Sequence, residues 1–236
     1  VTHEATISRY KSKGYKFNGT KLLLGNRSEK NVILKAGCAT EDQVSIVGSL
    51  RMDTLFARLQ KNGDTPHKDK VVLFSTHHRS GLLELEGVNG VFNSQRDAGF
   101  VKHFDTLHGE FARCAISRPD VEFVIKTKWG GNWREEVCAA IRRVLEVEIK
   151  DISNLTVTHS VPAQDLIESS LAVVGLNSTT LLEARLANVP TIIALFEEAA
   201  DKYFATNVYF QKYLDVFSVA RTPREMTQVI GHILDG

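Results

Sequence analysis

The chain lacks the cysteine patterns that would signal a disulfide framework or a metal cluster. Its three cysteines, Cys38, Cys114 and Cys138, are odd in number and form no CxxC pair. They read as reduced thiols of a cytoplasmic protein. Charge of one sign is also lacking. A net charge of +1, with no dense Lys/Arg run, argues against a nucleic-acid-binding surface. No apolar run approaches the roughly 18 residues of a membrane span. No signal-peptide pattern opens the chain, although a first residue of Val1 fits a piece of a longer protein. The dinucleotide fingerprint GxGxxG, the phosphate loop GxxxxGKS/T and the nucleophile elbow GxSxG are all absent. So are internal repeats and low-complexity tracts. Sequons occur at Asn18, Asn26, Asn154 and Asn177, and their places on a turn and at a strand entrance mark them as chance.

What remains is ordinary in composition and regular in rhythm. At 236 residues, 43% of them hydrophobic, the chain is long enough for one large α/β domain or one domain with a lead-in. Val71–Phe74, Val121–Lys126, Leu155–Thr158, Leu171–Val174 and Thr191–Leu195 are short apolar runs of the kind that fill buried parallel strands, and Val216–Val219 reads as a last one. Helical periods fall between them, over about 96–116, 133–147, 163–169 and 223–234. The first carries Phe100, Phe104, Leu107, Phe111 and Cys114 on one face. A further helix follows Thr180, with Leu181, Leu182, Ala184 and Leu186 as its apolar positions. This alternation predicts an α/β fold, a Rossmann-like parallel sheet with helices on both faces. Before it, Lys21–Leu24, Asn31–Leu34 and Val44–Val47 read as strands and Thr54–Leu59 as a helix. The turn formers of 61–70 read as a linker, 81–95 as a long loop, and 197–215 as a charged and aromatic run. The chain thus divides into a lead-in, 1–69, and a main domain, 70–236.

In an open parallel sheet, ligands bind beyond the carboxyl ends of the strands. That selects the loops 75–80, 127–132, 159–161 and 175–180, which offer hydroxyls, histidines and lysines but few acids. Such a set suits a phosphate-bearing ligand. In the turn after Val174, Ser178, Thr179 and Thr180 can each accept a backbone N–H, and Thr180 with Glu183 has capping-box spacing. The turn is either a well-capped helix start or an anion site on the helix N-terminus. His77 and His78 directly follow a buried strand and are either plain loop residues or functional ones. Adjacent histidines on an extended backbone point apart, and no Asp, Glu or Cys stands at partner spacing, so no metal is expected. Lys126, Lys128 and His159 are either solvated or ligand contacts. Glu183 suits a ribose diol, or else the capping box. Cys114 and Cys138 fall on helix faces and read as core.

Five stretches carry a family resemblance: Gly48–Asp53, Phe123–Lys128, Pro162–Ile167, Asn177–Ala184 and Val189–Ile193. In order and spacing they resemble the GT-B glycosyltransferases, in particular the bacterial capsule and surface-polysaccharide group. That group includes CDP-glycerol glycerophosphotransferases, Kdo- and sialyl-type transferases and the related UDP-GlcNAc 2-epimerases. The resemblance covers about residues 40–236. It implies that residues from about 70 onward form the C-terminal, nucleotide-sugar-binding domain. Residues 1–69 would be the end of a truncated acceptor-binding domain, the usual seat of the general base, plus the crossover.

It further implies that Ser178, Thr179 and Thr180, in the turn with Asn177, hold the donor phosphates and that Glu183 meets the ribose. His159, Ser160 and Val161 would lie against the base, with Lys126 beside them. Thr127–Gly130 stands where sialyl- and Kdo-type enzymes carry a His-Pro pair, so Lys128 would supply the positive charge, with His77 and His78 as the other catalytic candidates. The implied activity is metal-independent transfer of a sugar from a nucleotide-sugar, without a cofactor, to a glycan or lipid-linked glycan. The setting is cytoplasmic and compatible with peripheral membrane contact. Two alternatives stand beside it. One is a UDP-GlcNAc 2-epimerase-like enzyme using Asp97 and Glu110. The other is a non-catalytic nucleotide-binding module, docking through the aromatic run Tyr203–Tyr213.

Overall fold

The computed structural model describes residues 3–61, 68–78, 99–128, 130–202, 204 and 208–236. Most of the linker expected over 61–70, and all of the loop expected over 81–95, lie outside the described residues. The chain divides into two compact units, Val1–Gly63 and Asp64–Gly236.

The first unit contains α1 (His3–Ser12), β1 (Leu22–Leu24), α2 (Arg27–Lys35), β2 (Val44–Ile46) and α3 (Leu50–Lys61). β1 and β2 pair in parallel, with Leu22 opposite Val44. Asn31–Leu34, expected as a strand, is the second half of α2. The cause lies upstream, where Asn26 Oδ1 accepts the Glu29 N–H at 2.9 Å and the Glu29 carboxylate accepts the Gly25 N–H at 2.7 Å. With both donors satisfied, the first helical turn is set. An apolar run of one turn carries no period to reveal it.

The second unit begins with β3 (Lys70–Ser75), α4 (Val101–Ser117), β4 (Glu122–Thr127), α5 (Asn132–Leu145) and β5 (Leu155–Thr158). It continues with α6 (Ala163–Glu168), β6 (Ser170–Gly175), α7 (Thr180–Leu186), β7 (Thr191–Ala194), β8 (Ser218–Ala220) and α8 (Pro223–Asp235). The strands form one parallel six-stranded sheet in the order β5-β4-β3-β6-β7-β8, the expected Rossmann-like arrangement. The period of two along each strand splits the core. Val71, Leu73, Phe123 and Ile125 pack with Phe111 of α4, Ile141 of α5 and Met226 of α8. Val72, Phe74, Val124 and Val173 pack with Ile167 of α6 and Leu181 of α7. Asn154, one of the sequons, is a staple: its Nδ2 donates to the carbonyls of Ala115, Arg118 and Val121 at 2.8–2.9 Å.

The chain runs outward from β3 to β5, then returns to place β6 on the other side of β3. The strand order reverses there, which makes the β3–β6 boundary the topological switch point of the sheet. Phe74 is level with Gly175, and Ser75 with Thr127, so the neighbouring strands end together.

Where α4 crosses α5, a methyl group added to Gly109 would overlap the Val144 side chain. Alanine favours a helix interior by up to about 1 kcal/mol over glycine. The β-branched Val144 has little rotamer freedom to yield, and overpacking a core costs about 1–3 kcal/mol. Gly109→Ala is therefore expected to destabilise the protein by about 1–2 kcal/mol in urea unfolding. An unchanged or raised midpoint would show that the helix contact gives way freely.

Candidate functional site

The four loops singled out in the sequence leave β5, β4, β3 and β6, which lie side by side in that order. Two cross-links join them in pairs. Lys126 Nζ donates to the carbonyls of Thr127 at 2.7 Å and His159 at 2.8 Å, tying the β4 end to the β5 loop. Partial burial holds the Lys126 pKa below the ordinary lysine value. The His159 ring lies against Gly130, where an added Cβ would come within 3.2 Å of it. Lys128, His159, Ser160 and Val161 are exposed. Across the switch point, Thr76 Oγ1 donates to the Leu176 carbonyl at 2.8 Å.

The hydroxyl-rich turn differs from expectation. α7 has seven residues, Thr180 is its first, and the preceding Thr179 makes no side-chain cap. The Thr180–Glu183 capping box does not form. Asn177 adopts a positive φ of 55°, and Thr180 consequently falls inside the helix, with its Oγ1 2.5 Å from Ser178 Oγ. Asn177 is buried, and its Oδ1 accepts the Tyr209 N–H at 2.8 Å. Glu183 is 1% exposed, and its Oε2 accepts from Gln164 Nε2 at 3.0 Å. Ser178 is half-buried and Thr179 exposed, so these two hydroxyls present the turn to solvent.

The two adjacent histidines do not point apart. β3 ends at Ser75, so the backbone at 76–78 is no longer strand, and the His77 and His78 ring centroids lie 4.1 Å apart with planes 32° from parallel. Trp133 meets the His77 ring edge-on at 5.3 Å. Glu136 of α5 places a carboxylate oxygen 3.4 Å from His77 Nε2. One ligand-competent atom from each of His77, His78 and Glu136 lies within 4.8 Å of the other two. The two side chains therefore do not diverge as an extended backbone would have them.

His77 and His78 line a narrow cleft with Thr76 and Asn177, and its wall contains two further histidines, His103 and His108. His108 Nδ1 bonds the Phe104 carbonyl at 2.6 Å and so carries the proton, leaving Nε2 to accept from Ser75 Oγ at 2.8 Å. Trp133 Nε1 donates to the same hydroxyl at 3.3 Å. His103 Nε2 donates to the Ala194 carbonyl at 2.8 Å. Glu198 accepts the Lys102 and His103 backbone N–H groups at 2.9 and 2.7 Å, so the N-terminus of α4 is filled by a carboxylate of the chain itself. Of the residues overlooked in the sequence, His108 had a signal: it stands four residues after Phe104 on the apolar stripe. Glu136, Gln164 and Glu198 had none, since only the fold brings them here. Of the carboxylates considered for an epimerase, Glu110 pairs with Arg113 on α4, and Asp97 lies outside the described residues. No described helix is long and apolar enough to cross a membrane.

No protein-family profile and no curated protein sequence matches the chain. Solved structures are similar to it. The wall teichoic acid polymerase TagF matches with a TM-score of 0.55 at 12% identity, over 99% of this chain and 53% of that one. A substituted form of TagF soaked with CDPG gives 0.53 at 11%, over 99% and 50%. A UDP-GlcNAc 2-epimerase from Neisseria meningitidis bound to UDP-GlcNAc gives 0.48 at 12%, over 89% and 51%. At these identities the likeness is one of fold alone, a parallel α/β sheet with helices around it. The chain spans about half the length of the solved chains it resembles.

The buried histidines set a pH dependence. Burial pushes both His103 and His108 down from 6.5 to about 4. Between those values the unfolded chain binds protons that the folded chain does not, so this stability is complete above about pH 6.5 and lost as pH falls toward 4. At about 1.4 kcal/mol per pH unit, each imidazole accounts for on the order of 3 kcal/mol. Urea midpoints are expected to fall steeply between about pH 6.5 and 4, and His108→Gln should flatten the slope. A wild-type profile flat over that range would mean that the folded protein accommodates the imidazolium.

Proposed function

We propose that this chain is the donor-binding portion of a glycosyltransferase that moves a sugar from a nucleotide-sugar to a surface-polysaccharide acceptor, a glycan or lipid-linked glycan. The observation that carries the reading is the meeting of the β3 and β6 loops, tied by Thr76 to Leu176, at the switch point of a GT-B fold. Crevices at such points take nucleotide ligands. Ser178, Thr179 and Thr180 donate to the donor phosphates, on a turn that Asn177 shapes. Lys128 brings positive charge, while Lys126 holds the His159, Ser160 and Val161 loop where a base would lie. Glu183 turns to the ribose once Gln164 lets go. His77 and His78 stand nearest the reacting centre.

Charge grows on the nucleotide phosphate as the sugar leaves, and donors already in place stabilise it most at that stage. A carboxylate or histidine of the acceptor-binding half removes the acceptor proton. The soak of the wall teichoic acid polymerase with CDPG makes a cytidine nucleotide the first ligand to try.

Calorimetry with CDP, UDP, CMP and GDP tests the reading, with binding of at least one of them expected at millimolar concentration or tighter. Absence of binding by all of them would sink it. The double variant Ser178→Ala, Thr179→Ala is expected to weaken nucleotide binding about tenfold, or about 1.4 kcal/mol. Folding stability should fall by no more than the ~1 kcal/mol of a lost cap. Unchanged affinity would reduce the turn to a structural element.

A further inference from the structure

We infer that His77, His78 and Glu136 form a site for one divalent transition-metal ion of the zinc class, with a fourth position open to an anionic oxygen. Two imidazoles and one carboxylate are a donor set that suits zinc or cobalt, whereas magnesium and calcium take oxygen ligands. Three protein ligands and an open position is the usual plan of a zinc site that meets a substrate.

One donor distance already fits, and the two rings must spread to complete the set. Bonds of about 2.0–2.1 Å in a tetrahedron place donor atoms about 3.3–3.5 Å apart. His77 Nε2 and Glu136 Oε2 are already 3.4 Å apart, and no separation within the set exceeds 4.8 Å. His77 lies two residues beyond the buried end of β3, and Glu136 lies within α5. The Trp133 edge orients the His77 ring. The side chains of His77 and Glu136 keep 29% and 44% of their surface, which leaves an entry path for the ion.

A surface His–Glu ion pair is the simpler reading, and it accounts for two of the three groups. A metal takes in the third as well, the His78 ring whose centroid lies 4.1 Å from that of His77. Among the described residues this is the one cluster of three metal-ligating side chains. The three ligands stand independently of the nucleotide reading. Only the assignment of a phosphate oxygen to the fourth position rests on it, through the cleft that His77 and His78 share with Thr76 and Asn177.

The test uses the full chain after dialysis against a chelator. Zinc is titrated by calorimetry, and cobalt by its visible absorption. One ion per chain is expected, bound at micromolar affinity or tighter, with the intense bands of a tetrahedral cobalt site. Glu136→Gln and His78→Ala should each weaken zinc at least tenfold, with circular-dichroism melts reporting that both variants fold. Zinc binding weaker than micromolar would overturn the site, as would parent-like affinity in either variant. CDP and UDP titrations of the same metal-free sample report separately on the nucleotide reading. Repeated with zinc present, they are expected to show tighter nucleotide binding; an unchanged affinity would remove the phosphate from the fourth position.

Discussion

Burial of β3 on both faces is the constraint from which the rest of the second unit follows. Val71 to Phe74 are at most 4% exposed, and the strand pairs with β4 on one side and β6 on the other. Each such side chain contributes about 1.5–3 kcal/mol of gross burial energy. A strand with no wet face has no place for charge along its length. Polar groups are therefore confined to its ends, and at the carboxyl end they begin at once with Ser75, Thr76, His77 and His78. The crevice chemistry is what the core excludes.

The same exclusion consumes several polar groups that look functional in the sequence. Buried polar atoms need partners, and near the sheet edge those partners are strand-end carbonyls and helix N–H groups. Lys126 serves the carbonyls of Thr127 and His159, His103 that of Ala194, and Glu198 the first turn of α4. Asn177 anchors the Tyr209 backbone. These side chains build the rim of the crevice. The groups that face solvent from it are Ser178, Thr179, Lys128 and His159, with His77 and His78 half-buried between the two sets.

The sheet was legible because parallel strands buried on both faces write themselves as unbroken apolar runs, and β5 falls on the expected residues, Leu155–Thr158. Period also marked α4, whose expected face holds Phe104, Leu107, Phe111 and Cys114 in the core. Legibility failed wherever one local bond outweighs pattern. The Asn26 and Glu29 cap turned a presumed strand into α2, and the left-handed Asn177 moved Thr180 out of its capping role. The aromatic run offered as a docking face is partly core, since Phe204 stacks on Phe100 at 5.0 Å and Phe210 on Phe217 at 5.5 Å, while Tyr213 is 64% exposed. Nothing in the sequence joins Glu136 to His77, because α5 and the end of β3 meet only through the sheet.

The order of strengths at the crevice now differs from the one the sequence suggested. A helix dipole contributes about 0.3–1 kcal/mol to an anion near its first turn. Here α4 has given that position to Glu198, and α7, at seven residues, is a short source of dipole. Hydrogen bonds to charged groups contribute about 1.5–3 kcal/mol each. In the proposed reading, then, a phosphate is gripped by hydroxyls and cationic groups rather than by a helix end. That shifts the weight from the turn at Ser178 toward Lys128 and the His77–His78–Glu136 cluster. An ion held there would place the largest positive charge of the crevice on the β3 side of the switch point, opposite the hydroxyls on the β6 side.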